Sequence, residues 1–391
     1  MDLTDVKKEF WGDLQYDLFT ANTAVYLANQ SLEDLIRTDG RKAHKPIMSH
    51  PDTGTYSPYN DISFERKKAQ KQTLEVNTFE YAAEEIDITD KNQTPYDLLS
   101  HSLNSIRKGL MNRVEQKFLS EIVNAGQSIS NPPVTVASNN ILDILEEAEG
   151  KLGAFDAPYE TSMRAIVLGP RTVAKLRRTK SDRETGLGDS VLANGVVGPW
   201  HGWTVVQNNN LPWSATLTVA TNPSDGDTVT IAGIVFEFQD DLADVATGNV
   251  GVLRHSSTVA TSRANLAHAI NGTGTAGTNY TELTPRQSFI IRRKRNLAAT
   301  SAENMAFTGF GDISVSETFT SGNNFWTAQE QQAVFMVRGA IDMVLQFMDV
   351  KVGDKEKGFA ELPKGIIGLG TKTFSDGADL MVRLRQDVSS F

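Results

Sequence analysis

The chain has 391 residues, enough for two or three folding units and too many for one small domain. Hydrophobic residues make up 39% and charged residues 22%, the mixture of a folding chain rather than of a disordered one. There is no cysteine, which excludes disulfides, thiolate zinc sites, iron-sulfur clusters and cysteine nucleophiles; the formal charge of -10 has the wrong sign for a protein built to neutralise duplex phosphates.

Residues Met1 to Trp11 lack a positive leader followed by an apolar run, and no stretch reaches the ~18 apolar residues of a spanning helix, so neither export nor a membrane anchor is expected. Residues 5 to 36 read as an amphipathic helical arm carrying Leu14, Leu18, Val25, Leu32, Leu35 and Ile36; an ordinary packed helix fits the same spacing.

From Arg41 to Asp90 the chain carries Pro46, Pro51, Gly54 and Pro58, a basic run Arg66-Lys67-Lys68 with Lys71, and an acidic stretch with Glu80, Glu84, Glu85, Asp87 and Asp90. Alternation around Leu74, Val76 and Thr78, and again at Ile86 and Ile88, predicts two long thin strands. So few apolar anchors bury little surface within one chain, so a projecting hairpin that docks on another subunit is expected, with a loose surface loop as the alternative.

Thr94-Pro95-Tyr96-Asp97 has the signature of a helix start. Apolar residues at Leu99, Leu103, Ile106, Leu110, Val114, Phe118 and Ile122 then predict one stripe over about 32 residues, roughly 48 Å of helix, without strict heptads. Gly109 within it predicts a bend or a close approach.

After Pro132-Pro133 the pattern is α/β: a helix over Ser138 to Leu152, a buried strand at Ala165 to Leu168, a helix from Pro170 and a strand at Trp203 to Val206. Between about Ser214 and Thr320 the composition shifts towards Thr, Gly, Asn and Ser. A hairpin over Asp227 to Phe238 turning near Ala232-Gly233, a helix over Val259 to Ile270, and strands near Phe289 to Arg292 and Ile313 to Phe319 are predicted there. This module reads as an insertion, because strands return at Ala333 to Gly339, through Val350 and Val352, at Ile366 to Gly370 and at Ala378 to Leu384, where the chain is read as ending without a tail.

No catalytic, cofactor-binding or metal-ligating set emerges, and neither a cofactor nor an enzyme is expected. Gly272 to Gly277 spells a dinucleotide fingerprint but follows a helix where the motif needs a strand. The histidines at 44, 50, 101, 201, 255 and 268 have no ligand spacing, and Asp240-Asp241 and Glu146-Glu147 read as solvated faces. Ile291-Arg292-Arg293-Lys294-Arg295 reads as a solvent-facing strand edge rather than a nucleic-acid contact.

The order of helical arm, charged hairpin, very long helix, α/β core with an insertion and return strands resembles the major capsid protein family of tailed bacteriophages. Ala165-Ile-Val-Leu-Gly-Pro-Arg-Thr-Val-Ala-Lys-Leu176 is similar to that family's axial strand-then-helix step. Val196 to Val206 with Asn208 to Pro212, Val334 to Ile341 and Gly370 to Leu384 resemble its following and final strands, and the insertion resembles small β-rich modules of phage virion proteins.

The resemblance implies an α+β tailed-phage major capsid fold, divided as follows: residues 1-40 a helical arm, 41-93 an extended loop, 94-130 a peripheral domain with a spine helix, 131-213 the first part of an axial domain, 214-325 an inserted α+β domain, and 326-391 return strands. It implies a structural subunit that self-assembles through hexamers and pentamers into an icosahedral shell in the virion, put together in the host cytoplasm and enclosing double-stranded DNA without sequence-specific binding. A separate scaffolding protein and a portal are implied partners. A decoration protein, N-terminal processing and covalent cross-links between subunits are left open.

Arg66, Lys67, Lys68 and Lys71 are expected to face acidic residues of a neighbouring subunit, with Glu80, Glu84 and Glu85 as further inter-subunit contacts. A tail or connector component is the alternative reading.

Overall fold

The structure, a computed structural model, describes residues 24-388 apart from 35, 37-39, 49-52, 59-60, 63, 94-96, 138-139, 155-162, 182-201, 256 and 356-357. Most of the expected helical arm lies outside the described residues; within them Ala24–Leu27 forms a short 3-10 turn.

Strands β1 (Lys42–Met48) and β2 (Ala69–Glu75) form an antiparallel hairpin, with Lys42 opposite Glu75 and Met48 opposite Ala69. Pro46 is tolerated because a two-stranded ribbon leaves every strand an outer edge. Only the foot is buried, where Ala43, Leu74 and Val76 meet Ile36, Val344 and Phe374. The pairing differs from the sequence expectation: β3 (Thr78–Ala83) leaves the hairpin, and both it and Ile86–Asp87 pair with a strand near residue 365. Period-two alternation specifies a strand and its faces but not its partner, which is set here by distant apolar residues that need cover.

Helix α1 (Leu98–Ser120) spans 23 residues, about 34 Å and shorter than expected. Its start is set by Asp97, whose carboxylate accepts the Ser100 amide at 3.2 Å, and after Ser120 the chain tightens into a 3-10 turn over Glu121–Asn124. An apolar stripe does not reveal either boundary. Gly109 meets no atom within 4 Å of where a Cβ would stand, so the expected close approach is absent and the residue faces open space.

The chain continues through β4 (Gln127–Thr135), α2 (Ile141–Gly153), β5 (Arg164–Leu168), α3 (Pro170–Ser181) and β6 (Thr204–Gln207). These match the α/β pattern of the sequence, with β5 buried along its whole length. Next come β7 (Pro212–Val219), β8 (Thr228–Ile231), β9 (Ile234–Gln239), β10 (Val250–Leu253) and α4 (Val259–Asn271). The β8-β9 turn sits where expected: Ala232 and Gly233 both adopt positive φ, 54° and 78°, as a two-residue primed turn requires.

The strand expected at Phe289 to Arg292 is instead a helical turn, Phe289–Lys294. Thr284 and Gln287 form a capping box with Pro285 at the first turn, and this local start carries the chain into helix before a ladder can form. The basic run is therefore not a strand edge.

Strands β11 (Asn304–Phe310), β12 (Val315–Thr318), β13 (Asn324–Val337), β14 (Asp342–Asp354), β15 (Ala360–Lys372) and β16 (Met381–Asp387) complete the described chain. The last strand begins later than expected because Ser375–Ala378 turns helical, and Gly377 lies so close to the Ala340 carbonyl that no side chain would fit.

Among the described residues three larger sheets result. β13 is central to the first: its early residues pair with β7 and its later ones with β5, while β16 and then β4 follow on its other edge. The stretch read as an insertion thus adds β7 and β11 to the sheet that holds β4, β5, β6 and β16. The second sheet, β10-β9-β8-β12, shares an apolar core with α4. In the third, β14-β15-β3, one face packs on α1, with Gly365 against Ile106 and Leu110. Burying the stripe Ile106, Leu110, Val114 and Phe118 there holds the helix in place.

Candidate assembly surface

The basic residues singled out by sequence lie on the hairpin. Arg66, Lys67, Lys68 and Lys71 are exposed, as are the described residues 53-71 as a whole. Apolar side chains share that exposure: Tyr56, Ile62 and Phe64 are 64%, 62% and 92% exposed. Apolar side chains left this open are of the kind that interaction surfaces carry.

Where the arm begins, it is clamped. Lys45 reaches Asp376 at 2.6 Å and lies over the Phe374 ring, Gln72 exchanges two hydrogen bonds with Ser375, and Lys372 Nζ donates to the Thr73 carbonyl at 2.7 Å. The foot is therefore directed while the arm is bare.

The acidic candidates occupy a different element. Glu80 lies on β3, 4.0 Å from Arg113 of α1; Glu84 accepts from Ser102 Oγ at 2.5 Å; Glu85 pairs with Lys355 at 2.6 Å, which raises the lysine's pKa. The structure thus gathers the acids on the α1-β3 side and the basic residues on the arm. Glu80 and Glu84 line a groove of about 910 Å³ with Ile106, Arg113 and Phe289.

Two buried carboxylates were not singled out from the sequence. Glu115 of α1 accepts from the Ala24 amide at 3.0 Å, from Asn208 Nδ2 at 2.6 Å and from Asn210, fastening three distant segments. A carboxylate beside an apolar stripe was the available signal. Asp342, at the start of β14, accepts from Asn29 Nδ2 at 2.7 Å. Burial pushes its carboxyl up to about 6; nearby Lys45 opposes that rise and Asp376 adds to it.

Gly272 caps α4 with φ 71°, so the fingerprint-like run 272-277 is a helix exit; no strand follows it before Pro285–Ser288. Among the described residues no group of three His, Asp or Glu side chains is placed to hold a metal ion, and no helix is long and apolar enough to cross a membrane.

No protein-family model matches the chain, and neither does any curated protein. Solved structures do match. The chain is similar to one from Mycobacterium phage Che8, with TM-score 0.54 and 12% identity over 92% of this chain and 90% of that one. It is also similar to one described as the capsid structure of the cyanophage P-SCSP1u, with TM-score 0.50 and 14% identity over 89% and 84%. At such identities the likeness is one of fold.

Proposed function

We propose that this chain, whose fold is the tailed-phage major capsid fold, is a major capsid protein that assembles through hexamers and pentamers into an icosahedral head enclosing double-stranded DNA. The observation that carries the reading is the exposed arm: a clamped hairpin whose outer half keeps Tyr56, Ile62 and Phe64 in solvent gains burial only from another molecule. A likeness extending over about nine-tenths of the chain to a phage capsid supports a copy of this chain as that molecule.

In this reading the role is structural, with a separate scaffolding protein and a portal as partners and assembly in the host cytoplasm. Arg66, Lys67, Lys68 and Lys71 face acidic residues of a neighbour, and Glu80, Glu84 and Glu85 are further inter-subunit contacts.

Negative-stain electron microscopy with sedimentation, of the chain alone and with neighbouring virion proteins, tests the reading. Closed shells, hexamers or pentamers are expected; rings or tubes favour a tail or connector component, and a monomer under all conditions overturns the proposal. Reversing the charge of the four basic residues should leave the monomer folded and weaken shells most at low salt. Unchanged assembly removes the charge pairing while leaving the shell intact.

A further inference from the structure

The face of the β14-β15-β3 sheet turned away from α1 carries a second uncovered patch. Gly365 touches α1, so Lys364, Ile366 and Gly368 point the other way. Cross-strand register arranges them in rows: Ala83-Lys364-Lys351, Tyr81-Ile366-Asp349 and Phe79-Gly368-Phe347. The Phe79 and Phe347 rings stack at 6.0 Å, and Arg41 lies 5.5 Å above Phe79. Gly368 permits this, because a Cβ there would stand 2.7 Å from the Phe347 ring.

Tyr81, Phe79 and Ile366 remain 79%, 46% and 39% exposed on that face. Three neighbouring apolar side chains left this open form a patch of the kind that marks an interface. Its surround is positive: Arg41, Lys42, Lys351 and Lys364 against the two carboxylates Glu75 and Asp349.

That sign selects between two segments of the chain that could cover the face. Residues 53-71 carry Arg66, Lys67, Lys68 and Lys71 against Asp61 and Glu65, the same sign as the face. Residues 1-23 carry Asp2, Asp5, Glu9, Asp13 and Asp17 against Lys7 and Lys8, interleaved with Phe10, Trp11, Leu14, Leu18 and Phe19. An acidic, aromatic-rich segment complements an aromatic face ringed by cations, whereas the basic arm is repelled by it. The described chain begins at Ala24, and 23 residues reach up to roughly 75 Å, enough for the face of the same chain or of an adjacent copy.

We propose that the Phe79-Tyr81-Ile366 face is the docking site of residues 1-23. The inference does not rest on shell formation.

Because the chain has no cysteine, introduced pairs report without background. Tyr81→Cys is combined with Trp11→Cys or Leu14→Cys, Ile366→Cys with Trp11→Cys as a second anchor, and Tyr81→Cys with Phe64→Cys as the comparison. Mild oxidation is followed by non-reducing electrophoresis and peptide mass mapping. A disulfide forms only where the two Cβ atoms come to within about 4.5 Å.

Linkage of position 81 or 366 to the N-terminal positions is expected, several-fold above the position-64 pair, and several-fold weaker when Lys351→Glu and Lys364→Glu are added. Mixing singly substituted chains shows whose segment docks, and either result supports the site. Linkage to position 64 alone, or to no tested position, overturns it.

Discussion

The hairpin arm and the β8-β9-β10-β12 module differ in where their burial comes from. The module encloses Ile231, Phe236, Phe238, Val252, Leu266 and Phe307, each shielded from solvent by its own chain. The arm keeps all its described residues from 53 to 71 exposed and is anchored by a few side chains at its foot. One region draws its stability from within the monomer; the other, in the proposed function, gains its burial from a second molecule. The same composition of apolar and polar residues can therefore encode a core or an interface, according to whether the apolar side chains converge or are strung along one thin ribbon.

The strongest way to break this comparison is to empty the module's core. Phe236→Ala removes a fully buried ring and is expected to cost about 3-5 kcal/mol, read by urea or thermal unfolding. A loss below about 1 kcal/mol would mean that the module is not held by its own core.

Glu115→Ala comes next. It leaves the Ala24 amide and the Asn208 and Asn210 side chains without their buried acceptor, and a loss of about 3 kcal/mol is expected. Proteolysis near residue 24 should accelerate in parallel. Glu115→Gln, which keeps an acceptor oxygen, is expected to lose less than half as much.

How much of this was legible in the sequence follows from distance along the chain. The strand-turn-helix step at β5 and α3 and the Ala232-Gly233 turn are local, and their residues specify them. The β3-β15 pairing joins residues near 80 to residues near 366, and periodicity holds no information about partners that far apart. The candidate residues divided likewise: a basic run is visible as letters, while the in-chain partners of Glu80, Glu84 and Glu85 depend on α1 packing over β3 and on Lys355, just past β14, reaching the residues that follow β3. Glu115 and Asp342 look like ordinary surface acids until the fold closes over them.

Asp342 sharpens the comparison at the point where arm and body meet. Its carboxyl titrates near 6 in the fold against 3.8 for the free group, because burial disfavours the charge. The native state thus holds the proton more tightly, so stability at this site rises as pH falls from about 7 to 4 and is lost as pH climbs through about 6. Asp342→Asn should therefore stabilise the chain by about 2 kcal/mol at pH 8 and by almost nothing at pH 4. An equal gain at both pH values would show that the charge of Asp342 is not the cause.

The smallest expected change in monomer stability is the one that discriminates best between the two regions. Phe64 is 92% exposed, so its ring loses almost no burial when the monomer unfolds, and Phe64→Ser should alter unfolding by less than about 0.5 kcal/mol. If the arm's apolar residues exist for another molecule, the same substitution should raise the concentration at which higher assemblies form, measured by sedimentation at fixed salt. Phe236→Ala and Phe64→Ser then move opposite observables: one lowers the unfolding midpoint, the other leaves it in place and shifts association. A Phe64→Ser chain that unfolds as readily as Phe236→Ala would place the ring inside the monomer's own core, and the arm could no longer be read as a surface awaiting a partner.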